Sequence, residues 1–361
     1  MRPIIDLHLD LAWCGLQWDR DLTRPLIDVR AAEGKMTDHH ARGKATVSLP
    51  EMRRGGVGIC LGTVLCRSKP ASRKPEGFSR RDLDFHDQTV VSAIGFGQIE
   101  YYRQLEQIGE VAILRTAADV NQHMARWKED QTGPIGIIIA MEGADPIRTP
   151  EQTREWFDRG LRCVGIAHYG QHPYAAGTGV NGPITPRGRE LLKSFDEVGM
   201  ILDLTHCAEP GFFEALELFK GRVLASHNMC RKLTPGDRQF SDEQISALIQ
   251  RDAIIGMAFD AWMLKPDYKP GQMKRDYTTF TDVANHIDHI CQLAGNVKHV
   301  AIGSDLDGGY GYEQTPLELD SIADLPKLAD VLKQRGYSDA DCDAIFYENS
   351  LRFFNEALPT S

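Results

Sequence analysis

The chain has 361 residues, of which 42% are hydrophobic, so it is long enough to bury a large core. Its formal net charge of -10 disfavours nucleic acid and anionic membranes as partners, because their phosphates would be repelled. The eight cysteines form no Cys-x-x-Cys pair, which favours reduced thiols over a disulfide framework. Asp6 precedes any apolar run of signal-peptide length, and no later run is long enough to span a membrane. The sequence therefore predicts a cytoplasmic protein with a small-molecule or peptide substrate.

Eight short apolar segments recur along the chain, and most are followed by a segment with helical periodicity. Continuous apolar strands are typical of parallel sheets, because helices cover both faces of such sheets. The predicted strands are 3–9, 57–65, 135–141, 161–167, 199–205, 222–226, 253–259 and 299–304. The predicted helices are 82–107, 149–159, 185–198, 209–220, 241–251, 279–294, 325–335 and 340–356. Residues 19–50 and 67–81 are predicted to form long loops.

Alternating strands and helices in this number predict an α/β fold, the (β/α)8 or TIM barrel. The alternative fold is an open doubly wound sheet, but no Gly-x-Gly-x-x-Gly motif follows the first strand. The sequence contains no internal repeat and no low-complexity linker. A single domain over residues 1–361 is therefore predicted.

Ionisable residues follow the predicted strands at their carboxyl ends, where barrel active sites lie. On the first strand Asp6, His8 and Asp10 are two residues apart, so all three point to the same side. The later strands end at further candidates, namely Glu142, His168, Asp203, His206, His227, Asp305 and Asp307. Carboxylates gathered on one rim would repel one another without a cation, so the pattern predicts a metal site.

The types of side chain at this rim indicate which metal is bound. Histidine and carboxylate ligands without a thiolate favour zinc, with Mn²⁺, Co²⁺ and Fe²⁺ as alternatives. Three histidines and at least two carboxylates exceed the ligand set of one tetrahedral catalytic zinc. Two divalent metal ions that share a bridging carboxylate are therefore predicted, with Glu142 as the bridge.

These segments resemble the membrane dipeptidase (renal dipeptidase) family of zinc metallopeptidases, peptidase family M19, a branch of the amidohydrolase-like barrels. The likeness extends from residues 6–10 to residues 348–352. It is carried by the segments 141–143, 165–168, 226–227 and 303–308 and by the long block 181–206. The resemblance implies that His8, Asp10 and the bridging Glu142 hold one zinc ion, while Glu142, His206 and His227 hold the other.

The resemblance also implies a metallo-dipeptidase that hydrolyses dipeptides, including L,D-dipeptides, with a metal-bridging hydroxide as nucleophile. His168 would polarise the substrate and stabilise the oxyanion, and Asp305 would carry the proton from the nucleophile to the leaving amine. Arg238 would bind the free carboxyl terminus, although a loop salt bridge is the alternative role for this arginine. Glu142 belongs to both the catalytic and the metal-binding set. A homodimer is the assembly that the family implies.

Two positions depart from the family pattern on the substrate side. Gln171 stands where an asparagine is expected, and Asp260 lies in a segment that is usually aromatic and rich in asparagine. Asp260 is predicted to bind a positively charged group of the substrate, such as a free amino terminus. His172 is predicted to line the pocket without binding metal.

Two other functions stay open on the residues alone. One is a related barrel hydrolase that acts on an N-acyl amino acid, a lactone or another amide. The other is a non-catalytic relative that binds a peptide. Loss of metal ligands would be expected in such a relative, whereas all five are present in this chain.

Overall fold

The computed structural model describes residues 1–69 and 81–360. The strands of this part of the chain are β1 Ile4–Leu9, β2 Val57–Val64, β3 Arg67–Ser68, β4 Asp84–Phe85, β5 Val111–Ile113, β6 Ile135–Met141, β7 Leu161–Gly165, β8 Ile201–Asp203, β9 Val223–Asn228, β10 Ile255–Met257 and β11 Val300–Ile302. Its α-helices are α1 Leu11–Leu16, α2 Leu26–Glu33, α3 Leu49–Arg54, α4 Gln88–Gln107, α5 Ala117–Glu129, α6 Thr153–Asp158, α7 Pro186–Val198, α8 Glu209–Leu218, α9 Asp242–Gln250, α10 Ala261–Leu264, α11 Phe280–Ala294, α12 Leu328–Gln334, α13 Asp339–Asp343 and α14 Asn349–Ala357. Short 3₁₀ segments cover Pro150–Gln152, Arg275–Tyr277, Tyr312–Gln314 and Ile322–Lys327, and a π-helical turn covers Ala344–Glu348.

Eight parallel strands close into a barrel, which confirms the predicted (β/α)8 fold. Neighbouring strands pair in the order β2, β1, β11, β10, β9, β8, β7 and β6, and the pairing of β2 with β6 completes the ring. The short strand β5 joins the amino-terminal half of β6. Strands β3 and β4 form a separate parallel pair beyond the carboxyl end of β2. All strand carboxyl ends of the ring therefore meet at one end of the barrel.

The composition of the strands explains the closed, fully covered sheet. Every residue of β1, β2 and β6 is buried, as expected for strands with the barrel interior on one face and helices on the other. Gly256 and Gly303 provide close approach inside the ring. A Cβ atom at either position would lie within 2 Å of the Ser226 carbonyl oxygen. Only glycine therefore allows the neighbouring strands to approach the end of β9 in this way.

Helix boundaries follow from local capping chemistry. Helix α7 begins after Thr185, whose hydroxyl accepts a hydrogen bond from the amide of Gly188, and Pro186 occupies its first position. The helix ends at Gly199, which adopts a left-handed conformation with φ of 73°. No helix in residues 1–69 and 81–360 combines the length and the apolar character of a membrane span.

Several predicted segments differ from the structure. The predicted helix 82–107 begins at Gln88, after the short strand Asp84–Phe85. The predicted loop 19–50 contains α2, because Leu26 and Val29 are buried, and also the start of α3. Within the second predicted loop, Arg67–Ser68 is a strand, and residues 70–80 lie outside the described residues. The predicted helix 340–356 is interrupted by the π-helical turn between α13 and α14.

Candidate metal centre

The carboxyl-terminal end of the barrel encloses a cavity of about 210 Å³. The backbone brings the site residues there from separate elements: His8 lies on β1 and Glu142 directly follows β6. His206 and Asp305 each follow a strand in the left-handed backbone region, with φ of 65° and 57°. Such conformations are uncommon for residues other than glycine and are concentrated at functional sites. The predicted residues that line this cavity are Asp10, Glu142, His168, His206, His227, Arg238, Asp260 and Asp305.

Glu142 occupies the centre of the cluster. Its Oε1 atom lies 3.2 Å from Nε2 of both His206 and His227 and 3.7 Å from Nε2 of His168. Its other oxygen, Oε2, lies 3.6 Å from Nε2 of His8. The two oxygens of one carboxylate therefore face two different sets of histidines, which is the arrangement that a bridging ligand requires.

Three groups of side chains could each hold a metal ion, because their ligand atoms lie within 4.8 Å of one another. These groups are His8 with Glu142 and His227, Glu142 with His168 and His206, and His8 with Asp10 and Asp305. All three groups include members of the predicted ligand set. The five predicted ligands thus converge in one place, although the groups combine them differently from the family pattern.

The hydrogen bonds of the histidines show that the cluster suits a cation. Nδ1 of His206 lies 2.9 Å from the Thr178 hydroxyl, and Nδ1 of His227 lies 2.9 Å from the Ser226 hydroxyl. Each hydroxyl can accept a hydrogen bond from Nδ1–H, which leaves a lone pair on Nε2. The two Nε2 atoms are only 3.3 Å apart. Two buried lone pairs this close repel each other unless a metal ion or a proton lies between them.

The surroundings of His8 also indicate that the cluster suits a cation. Its buried Nε2 atom has no hydrogen-bond partner among the described residues. Asp10 and Asp305 each have a carboxylate oxygen less than 4 Å from this nitrogen. Asp10 also accepts a hydrogen bond from the Thr63 hydroxyl, which fixes its orientation. A cation in this place would satisfy all three side chains.

The pKa values of the cluster reflect groups buried away from water. Burial raises the pKa of Glu142 to about 7 and raises the pKa of Asp305 well above its usual range. Burial alone would lower the pKa of His8, but Glu142, Asp10 and Asp305 together raise it to about 10. Burial lowers the pKa of His168, which is therefore neutral. A bound cation would favour the ionised carboxylates and neutral imidazoles.

Arg238 and Asp260 also line the cavity. The guanidinium of Arg238 is buried, and its Nη2 atom donates a hydrogen bond to the His227 carbonyl at 3.0 Å. Its Nε and Nη1 atoms have no hydrogen-bond partner in the described part of the chain. Asp260 accepts a hydrogen bond from Gln314 Nε2 at 2.8 Å, and burial raises its pKa to about 7. Both ionisable side chains thus line the same cavity as the histidine cluster.

Arg67 is a cavity residue that the sequence analysis missed. Its Nη1 atom lies 2.9 Å from Nδ1 of His168, and Asp84 holds the rest of the guanidinium. Arg67 is 101 residues from His168 in the sequence, so no local pattern connects the two. In the sequence, Arg67 stands in a predicted loop, and this position indicates no specific partner.

Several other candidates have structural partners instead. Asp6, Asp203 and Asp307 accept hydrogen bonds from backbone amides and thereby hold neighbouring segments together. His172 was expected to line the pocket, but its Nδ1 atom pairs with Asp145 at 2.6 Å in the interior. The exposed Gln171 donates its hydrogen bonds to carbonyls of its own loop.

Comparison with known proteins places these features in context. A family model described as membrane dipeptidase (peptidase family M19) matches residues 1–360. An uncharacterised protein in the pqqA 5' region of Klebsiella pneumoniae is 27% identical over 71% of this chain and 93% of its own length. Dipeptidase tcpJ of Claviceps purpurea is 26% identical over 63% of this chain and 52% of its own length. Dipeptidase aclJ of Aspergillus oryzae is 24% identical over 98% of this chain and 78% of its own length.

Solved structures share the fold. The dipeptidase AC, a metallopeptidase, superposes with a TM-score of 0.78 at 21% identity and covers 99% of both chains. A metallopeptidase from Rhodobacter sphaeroides, liganded with a phosphinate mimic of the dipeptide L-Ala-D-Ala, superposes with a TM-score of 0.76 at 21% identity. That match covers 98% of this chain and 99% of the other. At these identities the likeness supports the barrel fold.

Proposed function

Because this chain belongs to the membrane dipeptidase family (peptidase family M19) and is a metallo-dipeptidase, we propose that its barrel cavity cleaves dipeptides with two zinc ions. The central observation is that the two oxygens of Glu142 face different histidine sets. We assign His8, Asp10 and Glu142 to one ion and Glu142, His206 and His227 to the other. Bound zinc would lower the pKa of water and polarise the peptide carbonyl.

His168 and Asp305 perform the remaining chemical steps in this proposal. His168 donates a hydrogen bond from Nε2 to the carbonyl oxygen of the substrate, and this bond strengthens as negative charge develops there. Asp305 accepts the proton of the attacking water and transfers it to the leaving amine. The position of Asp305 supports both steps, because one of its carboxylate oxygens lies 3.7 Å from Nε2 of His8 within the same cluster.

Arg238 and Asp260 bind the two ends of the dipeptide in this proposal. The two unpartnered nitrogen atoms of Arg238 donate hydrogen bonds to the terminal carboxylate. Asp260 accepts the ammonium group of the amino terminus. Because both side chains line a cavity of only about 210 Å³, the site favours short substrates. An N-acyl amino acid would satisfy Arg238 but not Asp260, which makes it the poorer substrate.

A substrate panel tests the proposal. Purified protein is assayed with L,L- and L,D-dipeptides and with their N-acetylated forms, before and after chelation and after return of zinc. The Rhodobacter sphaeroides structure with the L-Ala-D-Ala mimic is the reason for including L,D-dipeptides. We expect cleavage of free dipeptides that chelation abolishes and zinc restores. Preferential cleavage of the N-acetylated forms would contradict the assignment of Asp260.

Glu142→Gln is the matching variant, since it removes the charge of the bridge but keeps its shape. We expect this variant to lose metal and at least about 100-fold in kcat/KM, because two ions lose a shared ligand. Glu217→Gln, on the exposed surface of α8, is the control and should retain both metal and activity. An active Glu142→Gln enzyme with its full metal content would contradict the bridging role.

A further inference from the structure

The contact between Arg67 and His168 places a guanidinium group beside the imidazole, whereas His206 and His227 have hydroxyl partners. Arg67 Nη1 lies 2.9 Å from Nδ1 of His168. Its Nε and Nη2 atoms donate to the two carboxylate oxygens of Asp84 at 2.7 and 2.9 Å. Arg67 and Asp84 are also register partners in the parallel pair β3–β4. The guanidinium is therefore held in one orientation by its backbone and by a bidentate ion pair.

The chemistry of the two groups then decides where the imidazole proton lies. A guanidinium group can only donate hydrogen bonds, so Nδ1 of His168 must be the acceptor. A neutral imidazole has one donor and one acceptor nitrogen, so its proton lies on Nε2. Nε2 points into the cavity, 3.7 Å from Oε1 of Glu142. A protonated Nε2 can donate a hydrogen bond, but it has no lone pair for a metal ion.

The other two histidines beside Oε1 of Glu142 have the opposite environment. The Nδ1 atoms of His206 and His227 face the hydroxyls of Thr178 and Ser226, which can accept a hydrogen bond from Nδ1–H. Their Nε2 atoms can then keep the lone pairs that a metal ion needs. The guanidinium beside His168 can only donate, whereas the hydroxyls beside His206 and His227 can accept or donate, so the Nδ1 partners distinguish His168 from the other two imidazoles.

We propose that the Arg67–Asp84 pair is a positioning device that fixes His168 as its Nε2-protonated tautomer. The pair keeps His168 out of the metal coordination sphere and directs its N–H group towards the reacting carbonyl. This inference rests on the proposed function only for the identity of that carbonyl, because the tautomer follows from the Arg67 contact alone. Besides directing the imidazole, the positive charge of Arg67 adds to burial in lowering the pKa of His168, which keeps the ring neutral.

The tautomer is measurable in the zinc-loaded enzyme by two-bond ¹H–¹⁵N correlation spectra of protein labelled at its histidines. The His168 signals are assigned by comparison with the His168→Gln variant. We expect the wild-type spectrum to show a proton on Nε2 and none on Nδ1. In Arg67→Met, which removes the donor, we expect a mixture of tautomers or coordination of zinc through Nε2. Arg67→Lys, which retains a donor, should restore the wild-type pattern at least in part.

Kinetics provide the second measurement. Arg67→Met should lower kcat by about 10- to 100-fold, as loss of an outer-shell partner does, while KM changes much less. Lys69→Met is the matched control, because Lys69 is a neighbouring cation whose ammonium group donates to the backbone carbonyls of Tyr169 and Gln171. This control should retain the Nε2 proton on His168 and most of the wild-type kcat.

Three results would overturn the inference. The first is a wild-type spectrum with the proton of His168 on Nδ1, which does not depend on the folding of any Arg67 variant. The second is an unchanged His168 spectrum in Arg67→Met. The third is an equal loss of kcat in Arg67→Met and Lys69→Met, which would indicate general support of the loop. A wild-type Nε2 proton in an enzyme that cleaves no dipeptide would instead contradict the proposed function alone.

Discussion

The buried guanidinium of Arg238 lowers the stability of the substrate-free protein, and a bound substrate can remove this effect. Two of its buried nitrogen atoms have no hydrogen-bond partner in the described residues, and such groups destabilise a fold when left unsatisfied. Replacement by methionine removes both the unsatisfied nitrogen atoms and the group that would bind the substrate carboxylate. We therefore predict that Arg238→Met raises KM for dipeptides by about 10- to 100-fold, since a charge-assisted contact contributes about 1.5–3 kcal/mol.

The comparison that isolates this contact uses a dipeptide and its carboxamide. The carboxamide lacks the terminal charge, so wild-type enzyme should bind it more weakly than the dipeptide. Arg238→Met should bind the two about equally. If the variant retains the full preference for the free carboxylate, another residue binds that group.

The proposed role of Asp260 would make the binding of the amino terminus dependent on pH. Burial raises its pKa to about 7, so the ionised form that would hold an ammonium group becomes dominant as the pH rises through that value. The amino terminus of a dipeptide stays largely protonated up to about pH 7.7–8.0. We predict that KM for dipeptides decreases between about pH 6 and pH 7.5 and that Asp260→Asn removes this dependence. KM profiles across that range provide the measurement.

The same raised pKa predicts the stability of this variant. An aspartate whose pKa is higher in the folded than in the unfolded protein stabilises the fold less as the pH rises from the lower to the higher value. Asp260→Asn avoids burying the charge and keeps an oxygen that can accept from Gln314. The variant should therefore unfold at a higher temperature than wild type at pH 8. Lower stability at pH 8 would show that the charge has a compensating partner.

The sequence predicted some of these residues and not others for physical reasons. Glu142, His206 and His227 stand directly at or just beyond buried apolar runs, where an ionisable side chain is unusual and hence informative. Arg67 and Asp84 flank a segment without periodicity. The contacts of Arg67 with Asp84 and with His168 depend on the three-dimensional path of the loops. Contacts between residues far apart in sequence leave no local pattern.

At the scale of elements, Asp6 connects the first and last strands of the ring. Its Oδ1 atom accepts hydrogen bonds from the amides of His8 at 3.2 Å and Ser304 at 2.8 Å. We predict that Asp6→Ala destabilises the protein by about 1–3 kcal/mol for each amide left without a partner. Asp6→Asn keeps an acceptor oxygen and should unfold nearly as wild type does. Urea unfolding of the two variants gives the comparison, and equal losses would exclude this explanation.

Strand and helix positions were largely predictable because burial imposes a pattern on the sequence. The segment 135–141 coincides with β6, in which every residue is buried. Three predicted strands are only three residues long in the structure, β8, β10 and β11, because apolar residues continue past the last paired position. The sequence does not predict β5, because its three residues are too few to show a hydrophobic period.

At the scale of the whole molecule, metal binding and folding are linked. The apolar core of the barrel does not depend on a cation, so we expect metal-free protein to keep its secondary structure. Removal of metal nevertheless exposes the buried carboxylates to mutual repulsion. At free zinc about 1,000-fold above Kd, binding would contribute about 4 kcal/mol, which corresponds to roughly 5 °C for a chain of this length. Thermal unfolding of metal-free and zinc-loaded protein, followed by circular dichroism, provides the test.

This stabilisation should depend on the cluster at the end of the barrel. Glu142→Gln should unfold at nearly the same temperature with and without zinc, whereas Glu217→Gln should respond as wild type does. A zinc-dependent shift that persists in Glu142→Gln would place the stabilising ion elsewhere.

The central claim is that one carboxylate bridges two metal ions. Crystals of the zinc-loaded protein, measured at the zinc absorption edge, test it most directly, because anomalous difference maps locate each ion without reference to the protein model. We predict two peaks about 3.5–4 Å apart, one on each side of the Glu142 carboxylate. The first should contact His8 and the second His206 and His227, with His168 bound to neither. A single peak in the cavity, or a peak coordinated by His168, would contradict this account.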